Sequence, residues 1–255
     1  MRGRAIFYGE LFMFDYGFVD AHCHLADPLL QNEIKDLRRN KDITAYISCA
    51  LNQSELDWHW HNPDNRIKLV AGIHPYQPGQ ATLSLDHLAQ LCAEHKIIGI
   101  GEIGLDKRAK DLEPEKKILL QQLDLAQEYR LPVVLHVVKS YYQLAKLLKN
   151  NFPRVRGYLH GFHSSQEVFA LFKKFDLAFS LGCRPPNQQV CRSILQYGHY
   201  LLETDAPFQK PISDTNQYNQ LSNLNWVVEH LHQISNLPIE QIKTAQYNSL
   251  RKIFG

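Results

Sequence analysis

An α/β fold, a single (β/α)8 TIM-type barrel, is predicted by three features of the chain. Short apolar runs alternate with longer amphipathic stretches. The short runs are near-continuous, as in Val133-Val134-Leu135 and Ile97-Ile98-Gly99-Ile100, which a parallel sheet covered on its faces requires. Imidazoles and carboxylates recur where those runs end, the position at which barrel strands present chemistry. A doubly wound open sheet is the runner-up, because one sequence does not reveal strand order.

The candidate strands, in order, are Phe18–Ala21, Ile43–Cys49, Ile67–Ile73, Ile97–Gly101, Pro132–His136, Arg156–His160, Leu177–Leu181 and His199–Glu203. Helical periodicity lies between them, for example over Leu83–His95, Glu115–Tyr129, Tyr141–Asn150, Ser165–Phe175 and Leu221–Ser235. Trp58, His59, Trp60 and His61 read as part of a helix burying one face. The polar, breaker-rich stretch Phe208–Gln220 reads as a long loop over the barrel mouth. Asn236-Leu237-Pro238 ends one helix and starts another, Pro238–Phe254, expected to close the barrel base.

One barrel is routine for 255 residues, and 44% hydrophobic residues supply a large core. No apolar run reaches the roughly 18–20 residues that span a bilayer, so no membrane partner is expected. The N-terminus resembles a signal peptide only faintly, since Glu10 and Asp15 interrupt it and no small-residue cleavage site follows. Residues 1–16 read instead as an extension upstream of a natural start at Met13, with the barrel over 17–255. Five cysteines without a CxxC pair argue for a reducing, cytoplasmic compartment and against a disulfide framework or zinc ribbon. Cys23, between two histidines, alternates away from them and reads as a small buried apolar residue. A formal net charge of +2 is too small for wholesale capture of duplex DNA. It is compatible with a small phosphate-bearing substrate or a strand end.

Metal chemistry is the strongest functional signal. His22 and His24 lie one residue apart on an extended segment, so their rings project to the same side. Glu102 closes an apolar run, where a carboxylate is costly to bury unless paired or metal-bound. His136 and His160 end the next two strands, and Asp205 follows the last. Each alone has an ordinary alternative, a structural hydrogen bond or a helix cap. Together, four imidazoles and two carboxylates suffice for two divalent cations roughly 3.5–4 Å apart. Such a pair can hold a hydroxide, neutralise a phosphoryl or carbonyl oxygen and orient a leaving group. One carboxylate would bridge the cations, and the other could take the proton of the nucleophilic water.

At these residues the chain resembles the TatD-type metal-dependent deoxyribonucleases of the amidohydrolase superfamily. The resemblance runs from Val19 to Phe254. It is carried by Asp20-Ala21-His22-Cys23-His24, Gly72-Ile73-His74-Pro75, Gly101-Glu102-Ile103-Gly104-Leu105-Asp106, His160-Gly161-Phe162, Glu203-Thr204-Asp205-Ala206-Pro207 and the terminal Tyr247-Asn248-Ser249-Leu250-Arg251-Lys252-Ile253-Phe254. It implies a barrel binding two divalent ions (Mg²⁺, Mn²⁺ or Zn²⁺). His22, His24 and Asp205 would hold one, His136 and His160 the other, and Glu102 would bridge. Asp205 would also act as general base, making Asp205 and Glu102 the catalytic pair.

The chain departs from that pattern at the substrate side. The family usually has an Arg two residues after the fifth-strand His, where this chain has Val138 followed by Lys139. Lys139 could supply the missing phosphate-binding charge only if the loop has begun, since strand alternation points it the wrong way. His163-Ser164-Ser165 replaces the usual residues after His160-Gly161-Phe162. Arg184, in Gly182-Cys183-Arg184-Pro185-Pro186, could clamp a phosphate bidentately. His74 reads equally as a substrate contact and as a structural hydrogen bonder. Trp58, Trp60, Tyr76 or Phe208 could stack bases, although packing is the commoner use of such residues.

The expected activity is phosphodiester hydrolysis by a metal-activated hydroxide, removing nucleotides from a DNA end, with no obligatory protein partner. A metal-dependent ester, amide or aminoacyl-tRNA deacylase is the alternative, favoured by Val138. A non-catalytic barrel that only binds is a third reading, opposed by the intact ligand set.

Overall fold

Eight strands stand side by side in the order in which the chain makes them, every neighbouring pair parallel. They are β1 (Phe18–Cys23), β2 (Ile43–Ala50), β3 (Ile67–Ala71), β4 (Gly99–Asp106), β5 (Val133–Val138), β6 (Gly157–Leu159), β7 (Ala178–Leu181) and β8 (Tyr200–Leu202). The computed structural model describes residues 14–35, 37, 42–76, 83–108 and 111–255. Helices α1 (Gln31–Ile34), α2 (Gln53–His61), α3 (Leu85–Ala93), α4 (Glu113–Glu128), α5 (Tyr141–Asn151), α6 (Gln166–Phe172) and α7 (Gln188–Tyr197) lie between successive strands. After β8 follow α8 (Asn223–Ser235) and α9 (Ile239–Phe254). The architecture is the expected (β/α)8 barrel. No helix among the described residues is long and apolar enough to cross a membrane.

Polar residues start the helices where the loops need a stop. Asn52, Ser84, Ser165 and Asn187 each accept a backbone N–H from the first turn that follows. Small and β-branched residues such as Val19, Ala21, Ala45, Ile47, Val70 and Val134 form one buried cluster with Leu250, Ile253 and Phe254 of α9. The larger cluster lies between strands and helices and includes Phe18, Tyr46, Leu88, Leu119 and Leu144. Alternation along β1 sends Phe18 to one cluster and Val19 and Ala21 to the other.

β1 and β8 close the ring by other means than a strand ladder. From α9, Gln246 spans both backbone groups of Val19, and Ser249 takes the N–H of Tyr200. Higher up, the Asp20 carboxylate accepts the N–H and hydroxyl of Thr204. At the mouth, Asp205 N donates to His22 O at 2.9 Å and His24 N to Ala206 O at 2.8 Å. The seam thus ends on three of the expected ligand residues.

Two strand ends differ from expectation. β4 runs on to Asp106 and β5 to Val138, so Glu102 and His136 sit inside strands rather than at their ends. Glycine recurs along β4 at Gly99, Gly101 and Gly104. In three dimensions it is the price of close strand contact: a Cβ on Gly104 would lie 1.8 Å from the carbonyl oxygen of His136. Residues 1–13 of the expected extension lie outside the described residues. Phe14 packs edge-on against Phe254 and Tyr16 against Tyr247.

Candidate metal centre

Irregular register brings the side chains inward. Three steps along β1, Asp20 to Cys23, match two along β2, and Glu102 is skipped between the Gly101–Val134 and Ile103–Leu135 pairs of β4 and β5. Such bulges re-aim a side chain without breaking the sheet. His24 and His160 follow directly on β1 and β6, and Asp205 lies in the turn after β8 with φ 57°. That left-handed backbone is held by the Asp205 N–H to His22 O bond and by Phe208 N donating to Asp205 O at 2.7 Å.

The six expected residues come together in one cluster. His22 Nε2 and His24 Nε2 stand 3.5 and 3.7 Å from Glu102 Oε2, and 3.6 and 3.5 Å from Asp205 Oδ1. Glu102 Oε1 is 2.5 Å from His136 Nδ1 and 2.7 Å from His160 Nε2, whose two ring nitrogens are 3.0 Å apart. His22, His24, Glu102, His160 and Asp205 are buried, and His136 is half-buried.

This donor set fits a divalent cation. Neither ring nitrogen of the fully buried His22 has a hydrogen-bond partner, although an unpaired buried polar group is costly. Two atoms each about 2.1 Å from one cation lie about 3–3.5 Å apart, close to the spacing around His22. Groups of ligand atoms compatible with one ion are His22, His24 and Glu102; His22, His160 and Asp205; and His74, Glu102 and His136.

Charge follows the same pattern. Burial works to raise Glu102, but the imidazoles of His160, His136 and His74 outweigh it and hold the carboxyl well below its usual range. Burial is likewise outweighed at Asp205, by the His24 hydrogen bond and the charges of His22 and His160, so it too is lowered. Burial and the neighbouring His160 lower His22. The carboxylates are thus kept ionised and His22 neutral, the forms that bind metal. Against burial, Asp205 and Glu102 raise His24, and Glu102 raises His136 and His160, whose protons a bound cation would displace.

The supporting residues were not singled out from sequence. Asp106 is fully buried and accepts from His136 Nε2 at 3.1 Å, which turns Nδ1 toward Glu102. Arg108 Nε reaches both Asp106 oxygens, at 3.0 and 2.8 Å. Glu203, also fully buried, accepts from Gly161 N at 2.5 Å and faces His160 Nδ1 at 3.6 Å. Carboxylates behind metal-facing histidines fix ring orientation and basicity. The clue available in sequence was the one used for Glu102, a carboxylate closing an apolar run.

The substrate-side candidates divide. His74 joins the cluster, with Nε2 3.3 Å from Glu102 Oε1. Its Nδ1 accepts the Tyr76 N–H at 2.9 Å, so Nε2 carries the proton in the neutral ring and His74 donates. Phe208, half-exposed, meets the ring of His24 edge-on at 5.2 Å. The other three stand apart. Lys139 is exposed in a left-handed turn just beyond β5. His163 Nδ1 contacts the carbonyls of Arg184 and Pro185. Arg184 Nε donates to Lys210 O, stitching two mouth loops together. Trp60 packs under Lys96, which precedes β4 and so lies toward the opposite barrel end.

The chain is similar to known proteins over nearly its whole length. The family described as TatD related DNase matches residues 19–255. The YjjV protein of Escherichia coli, described as an uncharacterized metal-dependent hydrolase, is 29% identical over 93% of this chain and 98% of its own. A putative deoxyribonuclease of mouse, TATDN3, is 23% identical, covering 93% of this chain and 88% of its own. The crystal structure of YjjV superposes with a TM-score of 0.82, covering 93% of this chain and 97% of that one at 26% identity. With its barrel and its convergent histidines and carboxylates, the chain belongs to the TatD family of metal-dependent hydrolases.

Proposed function

We propose that this protein is a deoxyribonuclease that hydrolyses phosphodiester bonds at a DNA strand end with two divalent cations. The observation that carries the proposal is the convergence of four imidazoles on the two oxygens of Glu102, with the Asp205 carboxylate facing two of them, His22 and His24. His22, His24 and Asp205 would hold one cation, His136 and His160 the other, with Glu102 shared. Bound there, the cations supply Lewis acidity toward a phosphoryl oxygen and acidify water. The family description and the mouse relative's printed activity support a nucleic-acid substrate over other esters.

The chain's own groups do the rest. Asp205 Oδ2 is occupied by Gln209 Nε2, leaving Oδ1, on the side of His22 and His24, to take a proton from water. His74 offers its Nε2–H beside Glu102, where a developing oxyanion needs a donor. Asp106 and Glu203 hold His136 and His160 in the orientation the ions need. Phe208 extends the site as an aromatic platform on which a base can stack. The near-neutral net charge suits a short single-strand site.

A carboxylic ester, amide or aminoacyl ester is the second reading, and Val138, an aliphatic residue at the mouth end of β5, is what favours it. Nucleotide release from single-stranded DNA by metal-loaded protein, lost in Asp205→Asn, tests the proposal. Hydrolysis of neutral carboxylic esters with intact DNA would transfer support to the second reading.

A further inference from the structure

A cation at the barrel mouth is fixed one carboxylate away from the cluster, and the proposed function gives it no task. Arg108 follows β4 by two residues and grips Asp106 side-on through Nε and Nη2. Its guanidinium lies over the ring of Tyr76, with Cζ 4.7 Å from the centroid. Tyr76 N is bonded to His74, and the His74 ring stands 4.4 Å from the ring of His136. Asp106 returns to His136 at 3.1 Å. Arg108, Tyr76, His74, His136 and Asp106 thus close a ring of contacts on one flank of the centre.

The two partners of this ion pair are unequally buried. Here Asp106 is 0% exposed while the Arg108 side chain is 54% exposed. A guanidinium has five N–H donors in a fixed fork. Asp106 engages Nε and Nη2, and among the described residues Nη1 has no acceptor. Stacking and the carboxylate together remove the rotamer freedom that binding would otherwise cost. The neighbouring strand end leaves room: Val138 of β5 is the register partner of Asp106 and carries no competing polar group. Of the other mouth cations named above, Lys139 is exposed in its turn and Arg184 is tied to Lys210.

We infer that Arg108 is the phosphate-reading residue of this site, donating hydrogen bonds from the Nη groups on the side away from Asp106 to a non-bridging phosphoryl oxygen of the substrate and selecting anionic phosphodiesters over neutral esters. The inference rests on the nucleic-acid reading given above and assigns that reading's charge selectivity to one side chain. The inner edge of the guanidinium is anchored on the buried Asp106, which keeps its own bond to His136, and the outer edge meets substrate.

The test compares two fluorescent single-stranded oligonucleotides on metal-loaded protein, each with a cleavage-resistant end. One keeps charged phosphorothioate linkages at its terminus and the other has neutral methylphosphonates there. Wild type is expected to bind the charged end at least about tenfold tighter, in line with one specific charged contact. In Arg108→Gln that gap should narrow at least about threefold, what remains being the preference of the bound cations for a charged phosphoryl oxygen, with the salt-dependence slope smaller by about one, and Arg108→Lys should fall between. Metal affinity, titrated calorimetrically on the same proteins, should change by less than about threefold, well short of the 10–100-fold typical when a group orienting a metal ligand is lost. A gap undiminished in Arg108→Gln, or a metal affinity that falls as far as the oligonucleotide affinity, overturns the inference while leaving the nuclease reading intact. Wild type that binds neither oligonucleotide overturns both.

Discussion

The carboxylate of Asp20 clasps Thr204 across the barrel seam, accepting its backbone N–H at 2.9 Å and its hydroxyl at 2.6 Å. Asp20 lies two residues before His22 and Thr204 directly before Asp205. The bond that closes the cylinder therefore also sets the distance between two residues of the proposed metal centre. Burial, against the two Thr204 bonds, raises the Asp20 carboxyl to about 7. The Thr204 hydroxyl also accepts the N–H of Ala206 at 3.0 Å, so the turn carrying Asp205 is pinned from both sides.

Thr204→Val should therefore weaken both fold and centre. Removing a hydroxyl that serves two buried partners costs about 1–3 kcal/mol, readable as a lower urea midpoint. Metal affinity should fall with it, because Asp205 loses its support. Unchanged stability together with unchanged metal binding would show that the clasp does not position Asp205.

Asp106→Asn keeps the shape behind His136 and removes the charge. Metal affinity is expected to fall about 10–100-fold, with the fold intact by circular dichroism. Retained affinity would mean that His136 needs no carboxylate to present Nδ1.

Stability should depend on pH through a histidine outside the proposed ligand set. His59 of α2 is buried, its Nε2 3.2 Å from the hydroxyl of Ser48, and burial lowers it from 6.5 to about 4. Below pH 6.5 the unfolded chain takes up a proton that the folded chain refuses. Stability is therefore full above that pH and declines as pH falls toward 4, by about 3 kcal/mol in all. Urea titrations across this range should show the decline, and His59→Gln should flatten it. An identical slope in the variant would remove His59 from the account.

Phe208→Ala should weaken binding of a single-stranded oligonucleotide by about 1–3 kcal/mol, the worth of one stacked base, while leaving metal affinity unchanged. Equal oligonucleotide binding by the variant would make Phe208 a packing partner of His24 and nothing more.

The barrel was legible because its strands are near-continuous apolar runs separated by amphipathic helices, a pattern carried by local sequence. Glu102 and the five residues clustered with it were legible because imidazoles and carboxylates are out of place at the ends of such runs. The bulges that bring His22 and Glu102 inward were not, since a register shift depends on the partner strand, which is distant in sequence. Asp106 and Glu203 escaped for a related reason. Each acts through a histidine distant in sequence, His136 and His160, and only the folded barrel brings the pairs together. Lys139 and Arg184 looked suitable by charge, yet a left-handed turn and a carbonyl of Lys210 set their places, while Arg108 stands by the cluster.

The central claim is tested most directly by incubating end-labelled single-stranded DNA with metal-stripped protein, then restoring Mg²⁺, Mn²⁺ or Zn²⁺, with His22→Ala and Asp205→Asn alongside. Stepwise shortening that appears only with metal and is absent from both folded variants is the predicted result. Shortening that persists without metal, or full activity in either variant, would contradict a metal centre built on Glu102, His22 and Asp205.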